Sequence, residues 1–259
     1  MRDVIAAQGM VLSAMSVGDY DKRVVLLTKE LGKVAVFARG ARRANSTLLA
    51  STRPFSFGTF FLYPGRDAYT LQSAEIKEYF AGLSNNMEAL TYGCYFLEVA
   101  DYYTREGNDE TPMLNLLYMT VKALINQKIE NPLVKLIFEL RAMTINGVYP
   151  ELFHCVSCGQ EVEEGLFSMR DHGIYCTECR NIPKNGIGLD AAATYTLQYI
   201  IAAPLNKLYT FTLSQKTIQT VKKVVEQCKQ QYQDKSFHSL EILEQIVGRE
   251  NDEIMKKEI

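Results

Sequence analysis

LGKVAVFARGARRANSTLLASTRPFSFGTFFLYPGR, residues 31–66, is the stretch from which the rest of the chain is read. It carries Lys33, Arg39, Arg42, Arg43, Arg53 and Arg66 among Phe37, Phe55, Phe57, Phe60, Phe61 and Tyr63, without one Asp or Glu. Cationic side chains neutralise phosphates and ring faces accept nucleobases, so this composition suits a polyanion with stackable bases as well as a solvated loop beside an ordinary sheet. Two apolar runs, Val34–Ala38 and Ser56–Tyr63, flank a long connection, Gly40–Pro54, in which Ser46–Ser51 can form a helical turn.

Working outward, Gly9–Ser16, Arg23–Thr28 and Ala68–Ile76 are further apolar, β-branched or aromatic segments. Gly18-Asp19, Leu31-Gly32 and Pro64-Gly65-Arg66-Asp67 punctuate them. Glu30-Leu31-Gly32-Lys33 is short enough for a hairpin. Five strands with an insertion after the third describe a small OB-type barrel, whose strand face and loops suit single-stranded nucleic acid. An SH3-like barrel with no such role is the competing topology. Phe37, Phe57 and Phe61 are expected to be mainly core residues.

The 259 residues hold 28 Lys/Arg and 30 Asp/Glu, a net of −2 that by itself excludes a generally basic protein. Residues 1–80 nevertheless contain 11 Lys/Arg against 7 Asp/Glu, a net of +4, leaving 17 against 23 for the remainder. The basic character is local to the first third. Met1–Ser13 lacks a continuous apolar h-region, and no run of about 18 apolar residues occurs, so a cytoplasmic protein is expected.

Beyond Gly82 the apolar period changes from two to about 3.6. Tyr92, Tyr95, Phe96, Val99, Tyr102 and Tyr103 lie at helical spacing over Asn85–Arg105, and Cys94 falls on the same buried stripe. Thr111-Pro112 and Asn131-Pro132 each read as a cap before proline, opening helices to about Asn126 and Asn146. Helices are also expected over 189–203, with Asp190 near the start, from Ser214 onward, and around Ser239–Val247. The charged tail Gly248–Ile259 is expected to fray.

Between these helices lie Cys155-Val-Ser-Cys158 and Cys176-Thr-Glu-Cys179, separated by 17 residues. Two C-x-x-C knuckles at this spacing describe a tetrahedral zinc site. Leu166-Phe167-Ser168 and Gly173-Ile174-Tyr175 supply a ribbon hairpin, and Gly159 eases the first knuckle. Four thiolates close the coordination shell and leave no position for a reacting water, so the expected Zn2+ is single and structural. His154 and His172 are expected beside the cluster, not in it. The expectation is an α+β multidomain protein: an N-terminal OB-fold β-barrel (1–80), an α-helical domain (81–149 and 188–259) and an inserted four-cysteine zinc ribbon (150–187).

The ordered set Gly9-Met10-Val11-Leu12, Tyr20-Asp21, Val24-Val25-Leu26-Leu27-Thr28, Gly32, Ala38-Arg39-Gly40-Ala41-Arg42-Arg43 and Pro54-Phe55 resembles the opening barrel of the RecO family, bacterial recombination mediators. With the helices and the four-Cys insertion, the resemblance spans nearly the whole chain. It implies a non-enzymatic DNA-repair protein that binds single- and double-stranded DNA and anneals complementary strands coated by single-stranded-DNA-binding protein. It further implies work with RecR to load RecA, contact with RecF, recognition of the C-terminal tail of single-stranded-DNA-binding protein by the helical domain, and association with the nucleoid. The family's DNA-binding surface maps here onto Arg39, Arg42 and Arg43, flanked by Lys33 and Arg53. The quartet Cys155, Cys158, Cys176 and Cys179 is the zinc set.

The alternatives are an RNA-binding protein of the same barrel-and-ribbon plan, serving translation or ribosome assembly, and a thiol redox enzyme. No P-loop, H-E-x-x-H, G-x-S-x-G or G-x-G-x-x-G supports enzymatic chemistry.

Overall fold

The computed structural model describes residues 3–66, 68–243 and 245. The first strands are β1 (Ile5–Val17), β2 (Asp21–Thr28) and β3 (Gly32–Ala38). A single helical turn, α1 (Leu48–Ser51), precedes β4 (Phe57–Tyr63) and β5 (Tyr69–Glu78). They close into a barrel in the order β1-β2-β3-β5-β4, the five-strand plan with a helical insertion after the third strand that the pattern predicts. All neighbours are antiparallel except β3 and β5, which meet in parallel through two pairs, Val36↔Tyr69 and Phe37↔Thr70.

Alternation explains the barrel's interior. In β3, Val34, Val36 and Ala38 are buried while Lys33, Ala35 and Phe37 face outward; in β4, Phe60 and Leu62 are buried. They meet Ala7, Val11, Val24, Leu26 and Leu71 in one core, on which Ala41 and Leu48 of the β3–β4 connection also pack. The period of two therefore overturns the assignment of Phe37 to the core. With Val36 and Ala38 inward, Phe37 must point out, and it is 39% exposed. Phe57 and Phe61 are half-buried, and Phe57 packs on Tyr118 with ring centroids 4.7 Å apart.

Helices α2 (Met87–Tyr103) and α3 (Thr111–Asn126) follow the barrel. Asn86 caps α2 by accepting the Ala89 N–H at 3.0 Å. Tyr95 and Phe96 of the aromatic stripe are fully buried, while Cys94 is only half-buried. The helix α4 (Asn131–Ile145) begins one residue earlier than the proline signal suggests. Thr111 and Asn131, expected as caps, are the first helical residues, because the carbonyls of Glu110 and Glu130 already accept from Leu114 and Val134. Pro112 and Pro132 remain within the first turn, where a missing N–H costs nothing.

The four-Cys segment forms β6 (Gly165–Ser168), β7 (Gly173–Cys176) and β8 (Ile187–Leu189), in the order β7-β6-β8. Strand β8 has only three residues, too few for a periodic signal. Asp190 then caps α5 (Ala191–Ala202), and Ser214 caps α6 (Gln215–Tyr232). On α4, Glu139 is buried and held by Lys229 of α6 and by Lys135, the latter at 3.1 Å.

The chain divides into two compact units. One runs to Ile125 and takes in the described residues from Phe237 onward; the other is Asn126–Ser236. The helices are thus shared, with α2 and α3 beside the barrel and α4 to α6 with the ribbon. Helical backbone recurs over 238–243, and Phe237 packs edge-on against Tyr95 and Tyr102. Of the helix expected to reach Val247, residues 244 and 246–247 lie outside the described residues, as does the tail from Gly248. Among the described residues, no helix is long and apolar enough to cross a membrane.

Gly32 is a point of close approach. Its φ is +69°, and a Cβ would press into the Arg105 carbonyl and within 2.8 Å of the Asn108 carbonyl. Gly32→Ala is expected to destabilise the protein by more than the about 1–2 kcal/mol of a left-handed L-residue, lowering Tm by several degrees in a thermal melt. Gly32→Asn, which tolerates positive φ, should recover little of that loss, because the backbone clash remains.

Candidate nucleic-acid interface and metal centre

One end of the barrel gathers the cations. The turn between β1 and β2 places Gly18 at φ +55°, and Gly40, just after β3, is at φ +65°. The Gly40 N–H donates to Asp21 Oδ1 at 2.7 Å, and the Arg42 N–H donates to the Tyr20 carbonyl at 2.9 Å. The Arg42 guanidinium donates to the Gly18 carbonyl at 3.0 Å. These bonds stitch the β3–β4 connection to the β1–β2 turn and aim its side chains to one side. Arg43 lies over the Tyr20 ring, 5.1 Å from its centroid, a cation–π contact that holds the guanidinium while leaving its charge unneutralised.

Lys22, at the start of β2, pairs with Ala38 immediately before Arg39. Its Nζ donates to Thr52 Oγ1 at 3.0 Å. Burial lowers its pKa, and the charges of Arg53 and Arg42 lower it further. Lys22 therefore stands within the field of both arginines, and an arriving polyanion would relieve that repulsion. Among the described residues, Lys22, Arg39, Arg42, Arg43 and Arg53 form no salt bridge with a carboxylate. The nearby Asp21 is occupied by the Gly40 N–H.

Of the residues expected from the sequence, Arg39, Arg42, Arg43 and Arg53 are exposed on this β3–β4 connection. Lys33 is not with them. It lies at the opposite end of β3, about 20 Å away along the strand, and its amine is tied to Asp101 at 3.2 Å. Lys22 was missed as a site residue because its neighbour Asp21 cancels it in a charge count, and Tyr20, uncharged, does not enter such a count. The available signal was register: the residue opposite Ala38 must border Arg39.

The second centre is the ribbon. Hairpin β6–β7 ends with Cys176 opposite Gly165, and the Cys179 N–H donates to the Cys176 carbonyl at 3.1 Å to form one knuckle. In the other, the Gly159 N–H donates to the Cys155 carbonyl at 2.8 Å, with Gly159 at φ +74°. The four Sγ atoms of Cys155, Cys158, Cys176 and Cys179 lie within 4.8 Å of one another. Cys158 and Cys176 are 3.8 Å apart, the edge length of a tetrahedron whose metal–sulfur bond is about 2.3 Å. This donor set could hold a metal ion.

Cys155 and Cys179 are shifted in opposite directions. Burial raises the Cys155 pKa, but backbone N–H groups of Cys176, Cys158 and Ser157 outweigh it and bring the thiol to about 6. Desolvation and the Cys176 thiol push Cys179 up to about 12. Four adjacent thiolates repel one another, and a bound dication supplies the compensating charge. His154 and His172 stay out of the cluster: His154 Nδ1 is 3.7 Å from Glu151 Oε1, and His172 Nδ1 shares a hydrogen bond with the Tyr232 hydroxyl at 2.8 Å.

Residues 1–80 match the family model described as Recombination protein O N terminal, and residues 84–241 match Recombination protein O C terminal. Relatives called DNA repair protein RecO align over most of both chains. The protein from Alkaliphilus metalliredigens is 33% identical over 245 residues, covering 94% of this chain and 100% of the relative. That from Bacillus pumilus is 30% identical, covering 96% and 99%. That from Bacillus subtilis is 28% identical, covering 92% and 93%.

Metal analysis of anaerobically purified protein is expected to give about one divalent ion per chain, with the four cluster thiols slow to react with a disulfide reagent. Cys158→Ser should abolish stoichiometric binding and expose the remaining three thiols. Metal-free wild-type protein with four freely reacting thiols would exclude the site.

Proposed function

The chain belongs to the RecO family, and on that footing we propose that it is a non-enzymatic mediator of DNA repair and recombination. It binds single- and double-stranded DNA, anneals complementary strands coated by single-stranded-DNA-binding protein and, with RecR, loads RecA. RecF and the tail of single-stranded-DNA-binding protein are further partners of this reading, and the cytoplasmic nucleoid is its place of action. The observation that carries it is the barrel end where Lys22, Arg39, Arg42, Arg43 and Arg53 stand without carboxylate partners among the described residues.

Backbone contact without base readout suits a mediator, which must act on any sequence. Cations fixed near one another screen the repulsion between two phosphate backbones brought together for pairing. Five phosphate contacts correspond to a slope of about −3.5 in log K against log salt for single strands, at roughly −0.7 per contact. Lys33, held by Asp101, contributes little to that slope.

Zn2+ is the ion that the four-Cys set fits best, because thiolate donors in a tetrahedron favour it. Bound there, it supplies cross-linking of the two knuckles to the ribbon hairpin. Cys155, Cys158, Cys176 and Cys179 would fill its coordination shell, so its contribution would be structural.

The deciding experiment is annealing of complementary strands coated with the cognate single-stranded-DNA-binding protein, with and without this chain. Acceleration without ATP is expected, and no acceleration would overturn the mediator reading. Arg42→Ala with Arg43→Ala should weaken binding to unrelated sequences about equally and make the salt slope shallower by up to about one to two units. Unchanged affinity and slope in the folded double variant would place the contact elsewhere.

A further inference from the structure

Phe37 is the one phenylalanine among the described residues whose ring is exposed on the surface. The barrel register explains its position. On the outer face it is flanked by Arg23 of β2 and Thr70 of β5, and beyond Arg23 lies Met15 of β1, itself 63% exposed. The next row along the same strands is Ser13, Val25 and Ala35, small or half-buried side chains that leave the surface low. A groove of about 510 Å³ runs over this floor, lined by Met15, Arg23, Val25 and Ala35 and bordered by Lys33 and Arg105. Asp101 and Glu106 also border it, on the side where Lys33 is paired. Among the described residues, no aromatic ring stacks on Phe37.

Phe37 is not a lone apolar side chain on this face, because Met15, on the far side of Arg23 in the same row, is exposed with it. Two features identify what covers the ring. The row supplies a cation directly beside it, Arg23, which is exposed and forms no salt bridge among the described residues. The strand also continues through Ala38 to Arg39, the first cation of the basic end, so the aromatic face and the phosphate-binding face are consecutive along one chain. A ring with an arginine at its side, opening onto a basic track, matches the alternation of base and phosphate in a single strand.

We propose that Phe37 is a base-stacking residue: an unpaired nucleobase lies on its ring, with Arg23 facing the adjoining phosphate and the backbone continuing toward Arg39. This rests on the DNA-binding reading above and adds to it the residue that separates single strands from duplex. In a duplex the base faces are covered by stacking on one another and only base edges and the backbone are presented, so Phe37 has no face to accept. Met15 extends the apolar surface for the same base or its neighbour. The basic end supplies affinity for both forms, and the outer face supplies the preference for the unpaired one.

The test compares wild type, Phe37→Ala, Phe37→Leu and Phe37→Tyr in binding to an oligothymidylate and to a blunt duplex, over a range of salt. Phe37→Ala is expected to weaken single-strand binding about 5- to 10-fold, as loss of one stacked base does, with duplex affinity and both salt slopes unchanged. Phe37→Leu, which keeps apolar bulk without a π-face, should resemble Phe37→Ala, and Phe37→Tyr should resemble wild type. Equal losses for duplex and single strand, or no loss in folded Phe37→Ala, would overturn the stacking role. If Arg42→Ala with Arg43→Ala weakens binding while Phe37→Ala does not, only this inference fails. A wild-type chain that binds neither nucleic acid overturns both readings.

Discussion

Closing five strands into a barrel leaves β3 and β5 in contact through only two residue pairs, and much of the first unit follows from that constraint. The chain between β3 and β4 cannot be a hairpin. It must leave β3, pass the open margin and re-enter beside β1, which it does by burying Ala41 and Leu48 on the barrel core. Having fixed its apolar residues inward, the same segment has nowhere to put Arg39, Arg42, Arg43 and Arg53 except outward. The cations and the closure are two faces of one stretch of backbone.

Holding like charges together is unfavourable unless the backbone is tied independently of them. Here the Gly40 N–H to Asp21 carboxylate bond and the Arg42 N–H to Tyr20 carbonyl bond do the tying. Asp21 is thereby spent on backbone geometry rather than on neutralising an arginine. The lowered pKa of Lys22, caused by burial and then by Arg53 and Arg42, is the remaining sign of the repulsion. A surface preorganised in this way gains most from a partner that brings many negative charges at once.

The second unit solves a different problem. The ribbon has three short strands, and its four cysteines bring their thiols within 4.8 Å of one another, where one bound metal ion would cross-link the two knuckles. Phe167, Ile174 and Leu189 of the ribbon strands, with Leu152 and Val162, are buried, and polar contacts from the helices of the same unit add to that support. Gln198 of α5 donates to the carbonyls of Leu152 and Val162 at 2.8 and 2.9 Å, and His172 meets Tyr232. Glu139, buried between Lys135 and Lys229, joins α4 to α6 in the same unit.

Much of this was legible in the residues alone. Apolar, β-branched and aromatic runs between turn residues marked all five barrel strands, Gly18 and Gly32 marked turns that do need positive φ, and the knuckle spacing marked a cluster that the fold does assemble. These are local signals, carried by neighbours in the chain, and local sterics suffice to produce them. What the tertiary structure decided is which side of each element meets what. It turned Phe37 outward, carried Lys33 away to Asp101, brought Lys22 and Tyr20 to the basic end and added β8 to the ribbon. Each of these depends on strand register or on a contact between residues far apart in sequence, where a shift of one residue reverses the facing side chain. Composition and spacing carry no record of that shift; only the closed barrel and the paired ribbon do.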